Sequence, residues 1–166
     1  IVYVGFIIIN IELLEILIDG ITGSHRFFSK YFNPNFYNFL IASFEIFALL
    51  VLISVIIFWT RRNIMKIKRF LSSEMNGWPK FDADNILYFE VVLMLLFLSM
   101  NATDLILQDR NFDGYYKAGA FPVSSFLVPL FDSFSTSTVY VLERVFWWSH
   151  ILGILFFLNY LYYSKH

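Results

Sequence analysis

No cysteine occurs in the 166 residues. Its absence excludes disulfides, thiolate iron–sulfur ligation, cysteine-type structural zinc and covalent c-type haem attachment within this chain. Charge is also scarce: Asp, Glu, Lys and Arg make up 15% of the residues, against roughly 25% in an ordinary soluble domain. The net charge of −1 offers nothing to a polyanion, so no nucleic-acid partner is expected. The first apolar run shows neither a cationic n-region nor a small-residue cleavage site, so it is not expected to be a signal peptide. What is present is apolar and aromatic: 58% hydrophobic residues, with 21 Phe, 10 Tyr and 4 Trp. A mean hydropathy of +0.65 excludes disorder and a cytosolic enzyme with a polar surface. The partner this composition requires is the lipid bilayer.

Four apolar stretches are expected to span it, at about 1–22, 36–60, 86–107 and 145–163. The second carries Glu45 as its only charge; the third carries Glu90, Asn101 and Asp104. Arg61, Arg62, Lys66, Lys68, Arg69 and Lys80 all fall between the second and third stretches, which makes that loop cytoplasmic and sends the visible C-terminus to the same side. Trp59 and Trp78 then mark the inner edge, and Trp147 and Trp148 the outer one. The segment at about 110–141 holds Gly114, Gly119, Pro122 and Pro129, yet it is rich in Phe, Val and Leu. It is too apolar for a free loop, and short helical turns capping the outer side are expected. The fold class is therefore all-α: an integral membrane four-helix bundle with an outer cap, one domain over 1–166. The chain opens on Ile1 inside an apolar run and closes on Tyr163-Ser164-Lys165-His166, which reads as a piece of a longer protein.

Ionisable residues inside a bilayer are costly and therefore candidates for function. Glu12, Glu15 and Asp19, spaced three and four apart, share one helix face. They are either hydrogen-bonded helix contacts or part of a proton path or quinone site, with Glu45, Glu90 and Asp104 as further members of such a network. Of three histidines, His150 lies inside the last span and His25 follows the first, both toward the outer side. A lone intramembrane histidine is often a plain hydrogen-bonder between helices. A histidine from each of two antiparallel spans is also the arrangement that ligates the iron of a b-type haem axially, and Gly153 would let a flat macrocycle approach the backbone. His166 points almost opposite to His150 at 100° per residue and is expected at the interface. No phosphate-binding loop, nucleophile elbow or metal-spaced histidine pair occurs.

The run His150-Ile151-Leu152-Gly153-Ile154-Leu155-Phe156-Phe157, continuing to Tyr163-Ser164-Lys165-His166, resembles the last haem-binding helix of the nitrate reductase gamma subunit family. The nearest likeness is to the membrane domain fused to heterodisulfide-reductase-like Fe–S oxidoreductases of Bacteroidetes type. Ile1-Val2-Tyr3-Val4-Gly5-Phe6, Asp19-Gly20, Gly23-Ser24-His25-Arg26, Gly77-Trp78-Pro79-Lys80, Lys117-Ala118-Gly119, Phe121-Pro122 and Leu127-Val128-Pro129-Leu130-Phe131-Asp132 carry the likeness along nearly the whole chain. The resemblance implies a cytochrome b-like domain of a bacterial inner membrane that exchanges electrons between menaquinone or another quinone and a cytoplasmic Fe–S domain or subunit. The Fe–S clusters would lie outside this chain. It would be an electron-transfer module of an oxidoreductase rather than a catalyst on its own. The family's haem-ligand pattern carries over to His150. The position of its outer-haem partner falls near Ile9, which cannot ligate, so His25 is the substitute candidate. The competing expectations are a cofactor-free membrane anchor, whose histidines and acids only join helices, and a small ion-coupled transporter-like bundle using the acidic stripe.

Overall fold

The computed structural model describes residues 2–67 and 77–164, and within these the side chains of 2–6 and 9 are left aside. Lys68, Arg69 and His166, named above, lie outside the described residues. Among those residues the chain is all helix, with no strand. Four long helices run α1 Val2–Thr22, α2 Pro34–Asn63, α3 Trp78–Asp109 and α5 Thr136–Tyr163, with the one-turn helix α4 at Val128–Phe131. Two 3-10 turns, Phe27–Lys30 and Ser124–Phe126, complete the order.

Three of these helices are long and apolar enough to cross a membrane: α2, α3 and α5. Their 28–32 residues correspond to more than 40 Å of helix, against roughly 30 Å of hydrocarbon. The α1 helix is 21 residues long, but Glu12, Glu15 and Asp19 set it apart from the other three. The side chains are distributed inside out relative to a soluble protein. Ile53, Ile57, Val92, Leu95, Leu155 and Phe156 are exposed, while Glu15, Glu45, Asn101, Asp104, Gln108, Glu143 and His150 are buried. An exposed belt of large aliphatic and aromatic groups suits acyl chains and not water.

Local signals set the helix ends. Asn33 caps α2 by accepting from Asn35 N at 3.0 Å, with Pro34 in the first turn. Helix α3 ends where Asn111 turns left-handed (φ 51) and Phe112 N returns to the Leu107 carbonyl at 3.0 Å. Ser135 caps α5, its hydroxyl accepting from Thr138 N at 3.3 Å. The last helix therefore begins at Thr136, well before the expected start near 145, and the cap is correspondingly shorter than 110–141. His150 accordingly sits near the middle of α5, opposite Leu93 near the middle of α3.

Helix α3 is the central element, packed on α5 along its length and on α2, while α1 leans on α2. The termini gather at two ends. At the loop end Arg62 meets Asp84 at 3.5 Å, Asn63 donates to Asp84 at 3.1 Å, and Tyr160 and Ser164 of the α5 end donate to Asp82. At the cap end Arg110 ties α3 to the segment before α5, donating to the Asp132 carboxylate at 3.0 Å and to the Phe134 carbonyl at 2.9 Å.

Two close approaches depend on glycine. A Cβ on Gly20 would lie 2.5 Å from Cη2 of Trp147, and one on Gly153 would lie 2.7 Å from Cδ2 of Leu93. Trp147 is therefore a buried wedge between α1 and α5, unlike Trp148, which is exposed as an interfacial anchor would be. The notch at Gly153 is filled by Leu93 rather than left open for a planar group. Gly20→Ala is expected to push a rigid indole out of its seat at a cost of about 1–3 kcal/mol. Unfolding of the full-length protein in mixed micelles would read this as a lower denaturation midpoint, and an unchanged midpoint would refute it.

Candidate functional site

Among the described residues, two neighbouring cavities are walled by α1, α3 and α5 together. The larger, about 300 Å³, is walled mainly by apolar side chains of all four long helices, among them Phe44, Met94, Phe97 and Phe157, with Glu12, Glu90 and His150 as its ionisable members. The smaller, about 30 Å³, is enough for ordered water. It lies toward the cap end among Asp19, His25, Arg26, Asp104, Glu143 and Arg144.

His150 is buried on α5, its ring 5.6 Å from that of Phe97. Its Nδ1 lies 3.0 Å from the Leu93 carbonyl oxygen. A carbonyl only accepts, so Nδ1 carries the proton and Nε2 of the neutral ring keeps a lone pair. A histidine oriented through one nitrogen by a backbone carbonyl is the usual arrangement of a metal-ligating imidazole. The donor set thus fits one axial position of a haem iron, and the walls of the larger cavity are apolar enough to keep a macrocycle dry. Other donor-bearing side chains on the described wall are Met94, Glu12 and Glu90.

His25 has a different setting. Its Nε2 donates to Asp104 at 2.8 Å, and its Nδ1 accepts from Tyr116 N at 3.4 Å. Both ring nitrogens are committed to protein partners, and the ring lines the small polar cavity rather than the one at His150. The structure does not bring His25 and His150 to a common site.

The acidic stripe is likewise divided. After α1 the chain folds back through Gly23 (φ 65) and Arg26 (φ 54), leaving a cluster of backbone N–H groups. Asp19 accepts from Arg26 N and Phe27 N, both at 3.0 Å, and from the Ser24 hydroxyl at 2.8 Å. Glu15 accepts from Phe28 N at 3.1 Å and from the Tyr37 hydroxyl at 2.8 Å. These two carboxyls hold the turn. Glu12, one turn earlier, receives no hydrogen bond among the described residues and borders both cavities.

Arg26, quoted above only within the run Gly23-Ser24-His25-Arg26, is the hub of the cap end. Its guanidinium donates to Asp104 through Nη2 at 2.6 Å and Nε at 3.0 Å, and to Asn101 at 3.0 Å. Burial alone would pull its pKa down. The Asp104 carboxylate, with Tyr37 and Glu15 behind it, outweighs that and holds the group well above its ordinary value. Asn101 passes the network on, donating to Glu45 at 3.1 Å. Glu45 in turn accepts from Val123 N at 2.8 Å and Ser124 N at 3.1 Å in the cap. The sequence signal for this hub was Asn101 and Asp104, three apart on an apolar helix with no cation in any span. Glu45 and Asp104 thus share a network, whereas Glu90 belongs to the larger cavity.

Among the described residues no group of three or more His, Cys, Asp or Glu side chains gathers to hold a bare metal ion. Compared with known proteins, the chain matches no family profile, no curated protein and no solved structure.

Proposed function

We propose that this chain is a cytochrome b-like membrane domain, with haem held at His150, that passes electrons between a quinone in the bilayer and a cytoplasmic Fe–S domain or subunit. The observation that carries the reading is the His150 imidazole: buried near the middle of α5, oriented by the Leu93 carbonyl and set in the wall of an apolar cavity of about 300 Å³. Haem there would supply a one-electron carrier. His150 would ligate the iron through Nε2, Leu93 would fix the ring's orientation, and Phe44, Phe97 and Phe157 would exclude water. His25 serves the Asp104 network instead of the iron in this reading. The quinone and the Fe–S partner rest on the resemblance to the nitrate reductase gamma subunit-like group. Arg61, Arg62, Lys66 and Lys80 at the loop end support a cytoplasmic position for that end, in a bacterial inner membrane.

The test is a reduced-minus-oxidised visible spectrum of the purified full-length protein, with haem quantified as the pyridine haemochrome. A b-type α band is expected in wild type, reduced at least tenfold in His150→Ala and retained in His25→Ala. A folded wild type free of haem would overturn the cytochrome reading and leave a cofactor-free anchor.

A further inference from the structure

Among the described residues the two cavities share Glu12 and Ile16 in their walls. An isoleucine cannot carry a proton. We propose that Glu12 is the carboxyl through which the apolar cavity at His150 exchanges protons with the polar cavity at the cap end. The inference rests on the reading of that cavity as a redox site and adds to it a route for charge compensation.

Three observations support the assignment. The neighbouring stripe acids are engaged elsewhere: Asp19 holds two backbone N–H groups and Glu15 one, and an amide proton cannot be passed on. Glu12 is one turn closer to the middle of the bundle, with no hydrogen bond among the described residues to fix its carboxyl. The larger cavity is otherwise apolar and gives water few partners, so a proton cannot reach its interior by a water chain alone. The smaller cavity, about 30 Å³ and polar, accommodates the water that would supply it.

The charged surroundings give the exchange its direction. Toward the cap end Glu12 shares the polar cavity with Glu15, Asp19, His25, Arg26 and Asp104, and with Glu143 and Arg144 of α5. Toward the middle it shares the apolar cavity with Glu90 of α3 and His150 of α5. Glu45 and Tyr37 of α2 face the same interior, bound to Asn101 and to Glu15 respectively. An electron entering the apolar cavity adds negative charge where the dielectric is low. Water in the polar cavity passes a proton to the Glu12 carboxylate and takes one back from solvent at the cap end, so each O–H bond that breaks is matched by one that forms and one net proton offsets the electron. Electron departure reverses the step.

The test is the midpoint potential of the bound haem as a function of pH in wild type, Glu12→Gln and Glu90→Gln, each in the full-length protein. A one-electron centre coupled to one proton shifts by about 59 mV per tenfold change in proton concentration. Wild type and Glu90→Gln should approach that slope over a window of pH, and Glu12→Gln should be flat. A flat wild type, or a slope retained in Glu12→Gln, overturns the inference while the haem reading stands. If the folded protein carries no haem, the haem reading fails and the inference is decided by labelling. Dicyclohexylcarbodiimide, which attacks protonated carboxyls in apolar settings, should then modify Glu12, and less so as the pH rises. Absence of that adduct by mass spectrometry overturns it.

Discussion

Replacing Arg26 by methionine is expected to cost about 3–5 kcal/mol of folding stability, the penalty of leaving a buried charge without its partner. Asp104 is almost wholly inaccessible, and among the described residues Arg26 is the one Lys or Arg side chain paired with it. Methionine matches the length of the side chain but supplies none of the three guanidinium bonds to Asp104 and Asn101. Adding Asp104→Asn should recover more than half of the loss, because the amide removes the orphaned charge and its oxygen still accepts from Gln108 or His25. Denaturation midpoints of the single and double variants in mixed micelles give the comparison. A single variant within about 1 kcal/mol of wild type would mean that the pair contributes no more than an exposed surface bridge.

The second large effect is expected at Glu45. Its carboxylate receives Asn101 Nδ2, Val123 N and Ser124 N, and the residue is fully buried. Glu45→Ala leaves three donors unpaired at about 1–3 kcal/mol each, two of them in the backbone of the cap. The cap should detach before the helices separate. Limited proteolysis from the cap side would therefore cut between Asn111 and Ser135 in Glu45→Ala while wild type resists. Glu45→Gln should fall between the two, since its oxygen still accepts from Val123 and Ser124 while its amide meets Asn101 donor to donor. Equal resistance in all three proteins would show that the cap is held by its apolar side chains alone.

Hydropathy made α2, α3 and most of α5 legible in the sequence, because a run of apolar residues has few alternatives in a bilayer. It failed at the start of α5, where Thr136-Ser137-Thr138 and Glu143-Arg144 look like loop, although Ser135 ahead of Thr138 is a capping signal of its own. The cap was legible as something other than a solvated loop from its Phe and Val content. Its attachment was not, because the Glu45 bonds run to backbone N–H groups 78 and 79 residues away. Helical spacing correctly grouped Glu12, Glu15 and Asp19 on one face. It could not divide them, because the division comes from the left-handed backbone at Gly23 and Arg26, which folds the chain back over Asp19 and Glu15. His150 stood out as an intramembrane imidazole, but the Leu93 carbonyl that orients it lies 57 residues earlier and leaves no mark in the sequence.

The pairing of Arg26 with Asp104 also bears on the order in which the chain is made. Ribosomal synthesis delivers Arg26 to the cap end with the first helix, and its counter-charge follows only two helices later, 78 residues on. During that interval the guanidinium must stay hydrated, so the turn that follows α1 cannot reach its final buried setting. Asp104, near the trailing end of α3, arrives as that helix completes its insertion, and the two groups then dehydrate together. The stretch that must be made before this interior pair can close therefore runs from Arg26 through the last turns of α3. Any pause in translation before that point leaves Arg26 without its buried partner for the insertion machinery to hold.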